Sequence, residues 1–209
     1  MRRPPTLKAT EIFASVQGEG LRQGEPTLFV RLAGCNLRCG FCDTKRAWRA
    51  GRELPVDAIV EEVARLRIGY PAAWVCLTGG EPLAQNVRPL VLRLHEADLN
   101  VQIETNGTFP PDPRADWHTV SPKPPDYDVH PGFLKRAREV KLVVCRDLTL
   151  DAVRTVRAAF PAATPIFLQP QSNAAWSRKK ALELLEGTLR SGLEGVRLSA
   201  QLHKIYGIR

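Results

Sequence analysis

Long hydrophobic runs are missing from this sequence, and their absence limits what the chain can be. No stretch of about 18 apolar residues occurs, so no membrane-spanning helix is expected. The start, Met1-Arg2-Arg3-Pro4-Pro5, is basic but no apolar segment follows it, so we expect no export signal. Internal repeats and low-complexity tracts are also absent. With 209 residues and 44% hydrophobic content, we predict one domain over residues 1–209 with a sizeable core.

A concentrated block of one charge is absent as well. Lysine and arginine number 30 against 22 acidic residues, a net charge of +8, but the basic residues are scattered. Their densest groups, Lys135-Arg136-Ala137-Arg138 and Arg178-Lys179-Lys180, fall in or beside predicted helices, which favours solvated helix faces. A nucleic-acid-binding stripe would interleave aromatic and basic residues, and the sequence shows no strong interleaving. We therefore expect no nucleic-acid partner and no membrane contact.

Cysteine is scarce but concentrated in one place. Five cysteines in a chain of this size fit a disulfide framework poorly. Three of them, Cys35, Cys39 and Cys42, lie within eight residues in a C-x3-C-x2-C spacing, with Phe41 just before the third. Thiolates suit iron–sulfur clusters or zinc. Because a four-iron cluster takes four ligands, a loop that offers three leaves one iron open to a ligand that is not protein.

The two remaining cysteines bear on the choice between iron and zinc. A zinc knot would need a fourth ligand. Cys76 and Cys145 each lie in an apolar run, so we predict that both are buried as small hydrophobic side chains. The spacing therefore favours a three-ligand iron–sulfur cluster. Free thiols in a chain without an export signal also suggest a reducing, cytoplasmic location.

Short β-rich runs alternate with helical segments, which predicts an α/β fold with a parallel sheet. Strands are predicted at Thr27–Leu32, Trp74–Thr78, Asn100–Thr105, His118–Ser121, Glu139–Val144, Pro165–Gln169 and Gly195–Ser199. Helices are predicted at Asp57–Arg67, Val87–Leu94, Thr149–Phe160 and Ser177–Arg190. Ligands bind at the carboxyl ends of parallel strands. One face should therefore gather the segments that follow the strands: the cysteine loop, Gly79-Gly80-Glu81, Glu104-Thr105-Asn106, Ser121-Pro122-Lys123 and Gln169-Pro170.

The Gly79-Gly80-Glu81 turn has two interpretations. Glycines let a ligand approach the backbone closely, and exposed carbonyls can accept hydrogen bonds from an ammonium group. The same residues also fit a plain strand-to-helix turn, with Glu81 near a helix N-terminus, where a carboxylate is favoured. The cysteine loop elsewhere in the chain favours the ligand interpretation.

Several other polar positions are candidate site residues. The stretch around Gln17 and Glu19 fits a plain strand and turn, in which both would be exposed polar residues flanked by glycines without a role. The arrangement suits recognition of a planar ligand with several donors and acceptors. Arg31, on the strand that enters the cysteine loop, either holds a carboxylate or faces outward. Asp43-Thr44 either supplies oxygen ligands to magnesium or caps a helix. His203 is a further candidate. Surface or packing positions are expected for His95, His118 and His130.

The cysteine loop and Gly79-Gly80-Glu81-Pro82 together resemble the radical S-adenosylmethionine (SAM) superfamily. That resemblance implies a 4Fe-4S cluster whose open iron binds the amino and carboxylate groups of SAM. One electron from the reduced cluster cleaves the sulfonium, and the resulting 5′-deoxyadenosyl radical takes a hydrogen atom from the substrate. The resemblance also implies an α/β fold that is a shortened, partly open (β/α)6-type barrel.

Over nearly the whole chain the likeness narrows to the 7-carboxy-7-deazaguanine synthase family. The residues that carry it are Glu11-Ile12-Phe13 with Ser15, Gln17-Gly18-Glu19-Gly20, Arg31 to Leu37, Cys42-Asp43-Thr44, Glu104-Thr105-Asn106-Gly107, Ser121-Pro122-Lys123, Gln169-Pro170 and Gln201-Leu202-His203-Lys204. This family converts 6-carboxy-5,6,7,8-tetrahydropterin to 7-carboxy-7-deazaguanine with loss of ammonia. The reaction is a radical ring contraction on the route to queuosine and other 7-deazapurines, in which SAM is regenerated and magnesium assists.

Carried over by position, the resemblance implies a role for each site residue. The cluster ligands are Cys35, Cys39 and Cys42, and the magnesium ligand is Thr44. SAM would be bound by Gly80, Ser121, Pro122, Lys123, Gln169, Pro170, Gln171 and Ser172. The pterin would be bound by Val16, Gln17, Gly18, Arg31, Thr78 and the carboxylate of Arg209. Homodimers and an electron donor, a reductase or a flavodoxin-type protein, are the implied partners.

Two other classes stay open. A glycyl-radical-enzyme activase shares the cluster loop and acts on a protein, but such activases often carry a cysteine-rich insert, which is absent here. A metal-stabilised nucleic-acid-binding module is the non-enzyme alternative. It would predict zinc and a fourth clear ligand.

Overall fold

The computed structural model describes residues 4–209, and the chain divides into two compact units. The basic start Met1-Arg2-Arg3, used above in the argument about export, lies outside the described residues. The first unit comprises Glu25–Thr105, Asp112–Trp117 and the described part of Met1–Gln17. The second comprises His118–Arg209, Gly18–Gly24 and Asn106–Pro111. The single domain over residues 1–209 stays a prediction.

The first unit is built on a mixed sheet. Its strands are β1 (Thr6–Val16), β2 (Pro26–Leu32), β3 (Arg52–Pro55), β4 (Trp74–Gly79) and β5 (Asn100–Thr105), in the order β3-β1-β2-β4-β5. Its helices are α1 (Val56–Gly69) and α2 (Arg88–Glu96). β1 pairs antiparallel with β2 and β3, whereas β2, β4 and β5 are parallel. The connections explain this pattern, because a loop joins β1 to β2 while helices provide the crossovers to β4 and β5.

Apolar residues from the sheet and both helices meet in one core in this unit. Its fully buried members include Val75, Leu77, Val101 and Ile103 from the strands, and Ile59, Val63, Leu90, Val91 and Leu94 from the helices. Burying each such side chain contributes about 1.5–3 kcal/mol. The core therefore fixes where β2, β4 and β5 end, and those ends carry the candidate site residues of this unit.

The second unit holds a parallel sheet. Its strands are β6 (Trp117–Val120, in this unit from His118), β7 (Ala137–Val144), β8 (Ile166–Pro170) and β9 (Val196–Leu198), in the order β6-β7-β8-β9. Its helices are α3 (Leu150–Ala159), α4 (Ala175–Arg190) and α5 (Leu202–Tyr206). Ser177, near the start of α4, donates from Oγ to the Val144 carbonyl at 2.6 Å, which ties the helix to the end of β7.

Each strand and helix predicted from the sequence is present, with boundaries within two residues of the prediction. The antiparallel pairing of β1 differs from the parallel sheet that was expected, because no helix separates β1 from β2. β3 and α5 were not predicted. β3 is short, polar and mostly exposed, and Thr6 Oγ1 donates to its Glu53 at 2.6 Å. Within residues 4–209, no helix is long and apolar enough to cross a membrane.

Candidate functional site

The cysteine loop leaves the carboxyl end of β2. Cys35, Cys39 and Cys42 are free thiols and half-buried, and Cys42 N donates to the Cys39 carbonyl at 3.0 Å. Within residues 4–209, no group of three or more His, Cys, Asp or Glu side chains is arranged so that it could hold a metal ion. The donor set still fits an iron–sulfur cluster, because it offers soft thiols that no disulfide consumes.

Cys76 and Cys145 are buried, at 0% and 2% exposure. The prediction that both behave as small hydrophobic residues is confirmed. Cys76 packs with Phe13 and Phe29, whose rings are stacked with centroids 5.1 Å apart.

Backbone hydrogen bonds hold the start of the cysteine loop against the turn after β4. Gly80 N donates to the Leu32 carbonyl at 2.9 Å, and Glu81 N donates to the Gly34 carbonyl at 2.7 Å. A Cβ on Gly80 would collide with the Gly34 carbonyl, and one on Gly79, where φ is +119°, would collide with the Leu32 backbone. Both glycines are therefore required by the close approach of two chain segments.

Glu81 has the structural role considered above, that of a carboxylate at the start of a helix. Its carboxylate is fully buried and accepts from Thr105 Oγ1 at 2.7 Å and from Leu83 N at 3.0 Å. It thereby caps the 3₁₀ helix Pro82–Ala84. Burial raises the pKa of the Cys35 thiol, and the nearby charges of Glu81, Cys39 and Cys42 raise it further. A bound metal would reverse that preference by stabilising the thiolates.

Arg31 lies directly opposite Glu11 in the β1–β2 pair and does not face outward. Its Nε donates to Glu11 Oε1 at 2.7 Å, its guanidinium lies 5.5 Å from the Phe13 ring centroid, and one terminal nitrogen donates to Thr44 Oγ1 at 3.4 Å. Arg46 also pairs with Glu11. Burial favours a higher pKa for Glu11, but Arg31 and Arg46 outweigh it and hold the pKa below its usual value. Two guanidiniums thus share the Glu11 carboxylate beside the loop.

Thr44 and Thr78 lie close to the same arginine. Thr44 precedes the 3₁₀ helix Lys45–Trp48, but its side chain makes no capping hydrogen bond and donates to Asp43 Oδ1 at 2.9 Å. The helix-cap interpretation of its hydroxyl is therefore wrong. Thr78 is the register partner of Arg31 on the neighbouring parallel strand. The first unit thus brings Arg31, Thr44 and Thr78 together at one sheet edge.

Gln17 contradicts the expectation of an exposed polar residue. It is 2% exposed, and its Nε2 donates to Gln102 Oε1 at 3.0 Å and to Glu104 Oε1 at 3.1 Å. Hydrogen bonding of the amide makes its burial tolerable. Val16, the preceding residue, ends β1 and is half-buried.

In the second unit, the predicted SAM residues lie directly after β6, in the last two positions of β8 and directly after β8. Ser121 Oγ donates to the Lys141 carbonyl at 2.7 Å, and Lys123 Nζ donates to the Ser121 carbonyl at 2.6 Å. Gln169 is 1% exposed, and neither its Nε2 nor its Oε1 has a hydrogen-bond partner among the described residues. The other predicted positions are the buried Pro122 and Pro170, the half-buried Gln171 and the exposed Ser172, whose φ is +48°.

Glu19 is also not exposed as expected, because Lys141 and Gln201 enclose it. It forms an ion pair with Lys141, and Gln201 Nε2 donates to its Oε1 at 2.8 Å. Burial favours a higher pKa for Glu19, but Lys141, Gln201 and His203 outweigh it and hold the pKa below its usual value. Sequence reasoning missed Lys141 and gave Gln201 no role. The only available signal was Glu139 and Lys141 in β7, a strand that also contains Arg138 but is otherwise apolar.

Gly18 and the chain end lie around the same histidine. The Gly18 carbonyl accepts from Leu202 N at 3.0 Å, and a Cβ on Gly18 would come within 2.5 Å of His203 Nδ1. Ile208 N donates to the His203 carbonyl at 3.1 Å, which places the exposed Arg209 one residue from that contact.

The other histidines have the surface or packing roles that were predicted. His95 contacts Asp116 at 2.9 Å, His130 Nδ1 accepts from Gly132 N at 3.1 Å, and His118 packs edge-on against Phe133.

Comparisons with known proteins identify the family. Residues 29–117 match the family model described as Radical SAM superfamily. The 7-carboxy-7-deazaguanine synthase of Aquifex aeolicus is 34% identical over 100% of this chain and 98% of that protein. That of Hyperthermus butylicus is 46% identical, over 63% of this chain and 60% of its own length, so this match spans less than two thirds of each protein.

Solved structures agree. The crystal structure of QueE from Escherichia coli has a TM-score of 0.77 and 30% identity and covers 94% of both chains. Streptococcus suis SuiB bound to S-adenosylmethionine, at 13% identity and a TM-score of 0.58, supports the fold alone. The predicted fold class, an α/β, shortened and partly open radical SAM barrel, is confirmed. The chain belongs to the 7-carboxy-7-deazaguanine synthase family of the radical SAM superfamily.

Proposed function

We propose that this chain converts 6-carboxy-5,6,7,8-tetrahydropterin to 7-carboxy-7-deazaguanine with release of ammonia, in the biosynthesis of queuosine or another 7-deazapurine. The carrying observation is the loop of free, half-buried thiols at the end of β2, the strand that also carries the half-buried Arg31, in a chain whose family has this activity. A glycyl-radical activase and a nucleic-acid-binding module are not favoured, because the full-length relatives carry the synthase name.

Cys35, Cys39 and Cys42 would hold a 4Fe-4S cluster. When bound, the cluster supplies the electron that splits SAM and so starts radical chemistry on the substrate. The protein's part is to present the thiols on a loop whose first residues are fixed by Gly80 and Glu81. Three thiols leave one iron for SAM, as the superfamily requires.

Buried polar atoms support a SAM site. Gln169 has a donor and an acceptor that no described residue satisfies, and leaving such groups unpaired costs about 1–3 kcal/mol each. No described residue donates a hydrogen bond to the Gly80 carbonyl either, which suits the ammonium group of SAM. The residues proposed to bind SAM are Gly80, Ser121, Pro122, Lys123, Gln169, Pro170, Gln171 and Ser172.

Arg31 is proposed to bind the carboxylate of the pterin. Glu11 occupies its Nε, so the terminal nitrogens remain to face Thr44 and a ligand. Charge-assisted bonds between a guanidinium and a carboxylate are strong and directional. Thr78 lies beside Arg31. Val16, Gln17, Gly18 and the carboxylate of Arg209 complete the proposed pterin contacts, with Gln17 contributing its main chain because Gln102 and Glu104 occupy its amide.

Magnesium at Thr44 is part of the proposal. Magnesium prefers oxygen ligands and keeps several waters, so one hydroxyl plus substrate oxygens is sufficient. The hydroxyl of Thr44 makes no helix cap and lies beside the Asp43 carboxylate. Thr44→Val keeps the shape and removes the ligand, so we expect lower turnover and a flattened response to added magnesium, measured on reconstituted enzyme. Undiminished magnesium stimulation in this variant would remove Thr44 from the site.

A cytoplasmic homodimer that receives electrons from a reductase or a flavodoxin-type protein completes the proposal. The deciding experiment is anaerobic reconstitution with iron and sulfide, followed by mass analysis of the products formed from the carboxypterin and SAM. We expect 7-carboxy-7-deazaguanine and ammonia. One equivalent of zinc and no cluster after reconstitution would overturn the enzyme assignment.

A further inference from the structure

Gln201, just before α5, has a buried carboxamide that is satisfied on one side only. The residue is 6% exposed, and its Nε2 donates to Glu19 Oε1 at 2.8 Å. Its Oε1 is buried and has no hydrogen-bond partner among residues 4–209. Although Gln201 occupies the capping position of α5, its side chain makes no capping bond. A buried acceptor without a donor is costly, so this oxygen points to a missing partner.

The contact with Glu19 determines which atom of the Gln201 carboxamide is unpaired. Rotating the carboxamide by half a turn would place its oxygen against the Glu19 carboxylate, which can only accept hydrogen bonds while it is ionised. The ion pair with Lys141 keeps Glu19 in that form. The unpaired atom is therefore an oxygen, and its missing partner must be a donor.

The neighbouring segment gives the chemical class of that donor. The Gly18 carbonyl accepts from Leu202 N, the residue after Gln201, and from Gln23 Nε2, each at 3.0 Å. Gly18 and its neighbours are the residues proposed above to bind the pterin. Carboxylate and carbonyl oxygens of the substrate cannot donate, whereas the N–H groups of its reduced aminopyrimidinone ring can.

We propose that Gln201 Oε1 accepts a hydrogen bond from an N–H group of the substrate's heterocycle, and so selects for the ring rather than for its carboxylate. This proposal rests on the function proposed above. Lys141 holds Glu19, and Glu19 holds the carboxamide, so the acceptor is fixed before the substrate arrives. Such pre-organisation favours binding because less freedom is lost on association.

The test compares two glutamine variants of the reconstituted enzyme. Gln201→Met keeps the side-chain length and removes the acceptor. Gln23→Met is the control, because Gln23 also ties the two segments together, through the Gly18 and Ala200 carbonyls, but is exposed where Gln201 is buried. We expect Gln201→Met to weaken carboxypterin binding about tenfold, the effect of one lost hydrogen bond of ordinary strength, with SAM affinity unchanged. Gln23→Met should leave both affinities close to those of the wild type.

Each outcome separates the two proposals. Wild-type conversion of the carboxypterin with unchanged affinity in Gln201→Met would overturn the role of Gln201 and leave the proposed function standing. Failure of the wild type to bind or convert the carboxypterin would overturn the proposed function itself. If Gln201→Met does not fold, Gln201→Asn withdraws the same carboxamide by one methylene, and unchanged affinity there would equally refute the proposal.

Discussion

The two units differ in how completely their buried polar side chains are hydrogen-bonded. In the first unit, polar side chains satisfy one another: Arg31 pairs with Glu11, Gln17 with Gln102, and Glu81 with Thr105. None of its described residues has a buried side-chain nitrogen or oxygen without a partner. In the second unit, Gln169 and Gln201 keep buried atoms that no described residue satisfies.

This difference separates two ways of building a site. The first unit presents thiols and a guanidinium on a frame that is complete without a ligand. The second unit leaves buried donors and acceptors unpaired, and in the proposals above SAM and the substrate satisfy those of Gln169 and Gln201. These proposals imply that ligand affinity in this unit is gained at the expense of ligand-free stability.

The largest effect is expected at the loop of the first unit. Cys35→Ala removes one of three thiols and should abolish both cluster and turnover, whereas Cys76→Ala and Cys145→Ala should retain the cluster because both thiols are buried and lie outside the loop. Iron and sulfide analysis with visible absorption measures the difference. A cluster of normal iron content in Cys35→Ala would place the cluster elsewhere.

Arg31→Ala should have the second-largest effect, on substrate binding. Loss of a buried, charge-assisted pair costs on the order of 2–5 kcal/mol, so carboxypterin binding should weaken far more than SAM binding. Titration of each ligand into the reconstituted enzyme gives both affinities. Equal affinities for carboxypterin in variant and wild type would make Arg31 purely a structural partner of Glu11.

Two buried glutamines test the comparison most directly. Gln102→Leu takes an acceptor from Gln17 and should lower the free energy of unfolding by about 1 kcal/mol. Gln169→Leu removes two unpaired atoms, so the SAM-free protein should be as stable as the wild type or more stable, while SAM stabilises it less. Anaerobic urea unfolding with and without SAM measures both. Equal destabilisation by the two substitutions would mean that Gln169 is satisfied in solution.

The smallest effect concerns acid stability. The pKa of Glu11 is depressed from a usual value of 4.5, so its contribution to stability is complete above that pH and is lost as the pH falls through the lower folded-state pKa. Glu11→Gln should therefore lower the free energy of unfolding by about 1 kcal/mol at neutral pH. In acid, the variant and the wild type should become equally stable. Urea unfolding between neutral pH and pH of about 3 measures it. A difference in unfolding free energy that does not change with pH would assign the effect to packing.

Local patterns were enough to predict most of the fold. β5 was predicted with the boundaries it has, because a run of alternating polar and apolar residues ends at Asn106-Gly107. β3 and α5 were missed, because each is short and largely exposed and depends on pairing with distant residues rather than on its own periodicity. The antiparallel β1 was missed because alternation alone does not give strand direction.

The candidate site could likewise be predicted from the sequence only in part. The cysteine loop could be predicted because its ligands are close in sequence. The burial of Glu19 could not, since its partners Lys141 and Gln201 lie 122 and 182 positions away. Gln17 was expected to be exposed for the same reason, because Gln102 is 85 positions away. Sequence proximity thus pointed to the proposed cluster ligands, and not to the distant residues that enclose Gln17 and Glu19.

The contact between Gly80 and Gly34 affects how a mutational scan of this enzyme would be interpreted. Any side chain at Gly80 must displace the Gly34 carbonyl, the residue just before Cys35. A library of substitutions at Gly80 would therefore produce colourless, iron-poor protein, the phenotype of a lost cysteine. Position 80 would be scored as a metal ligand although glycine has no side chain to offer, and only a second-site change that relaxes the loop would reveal the error.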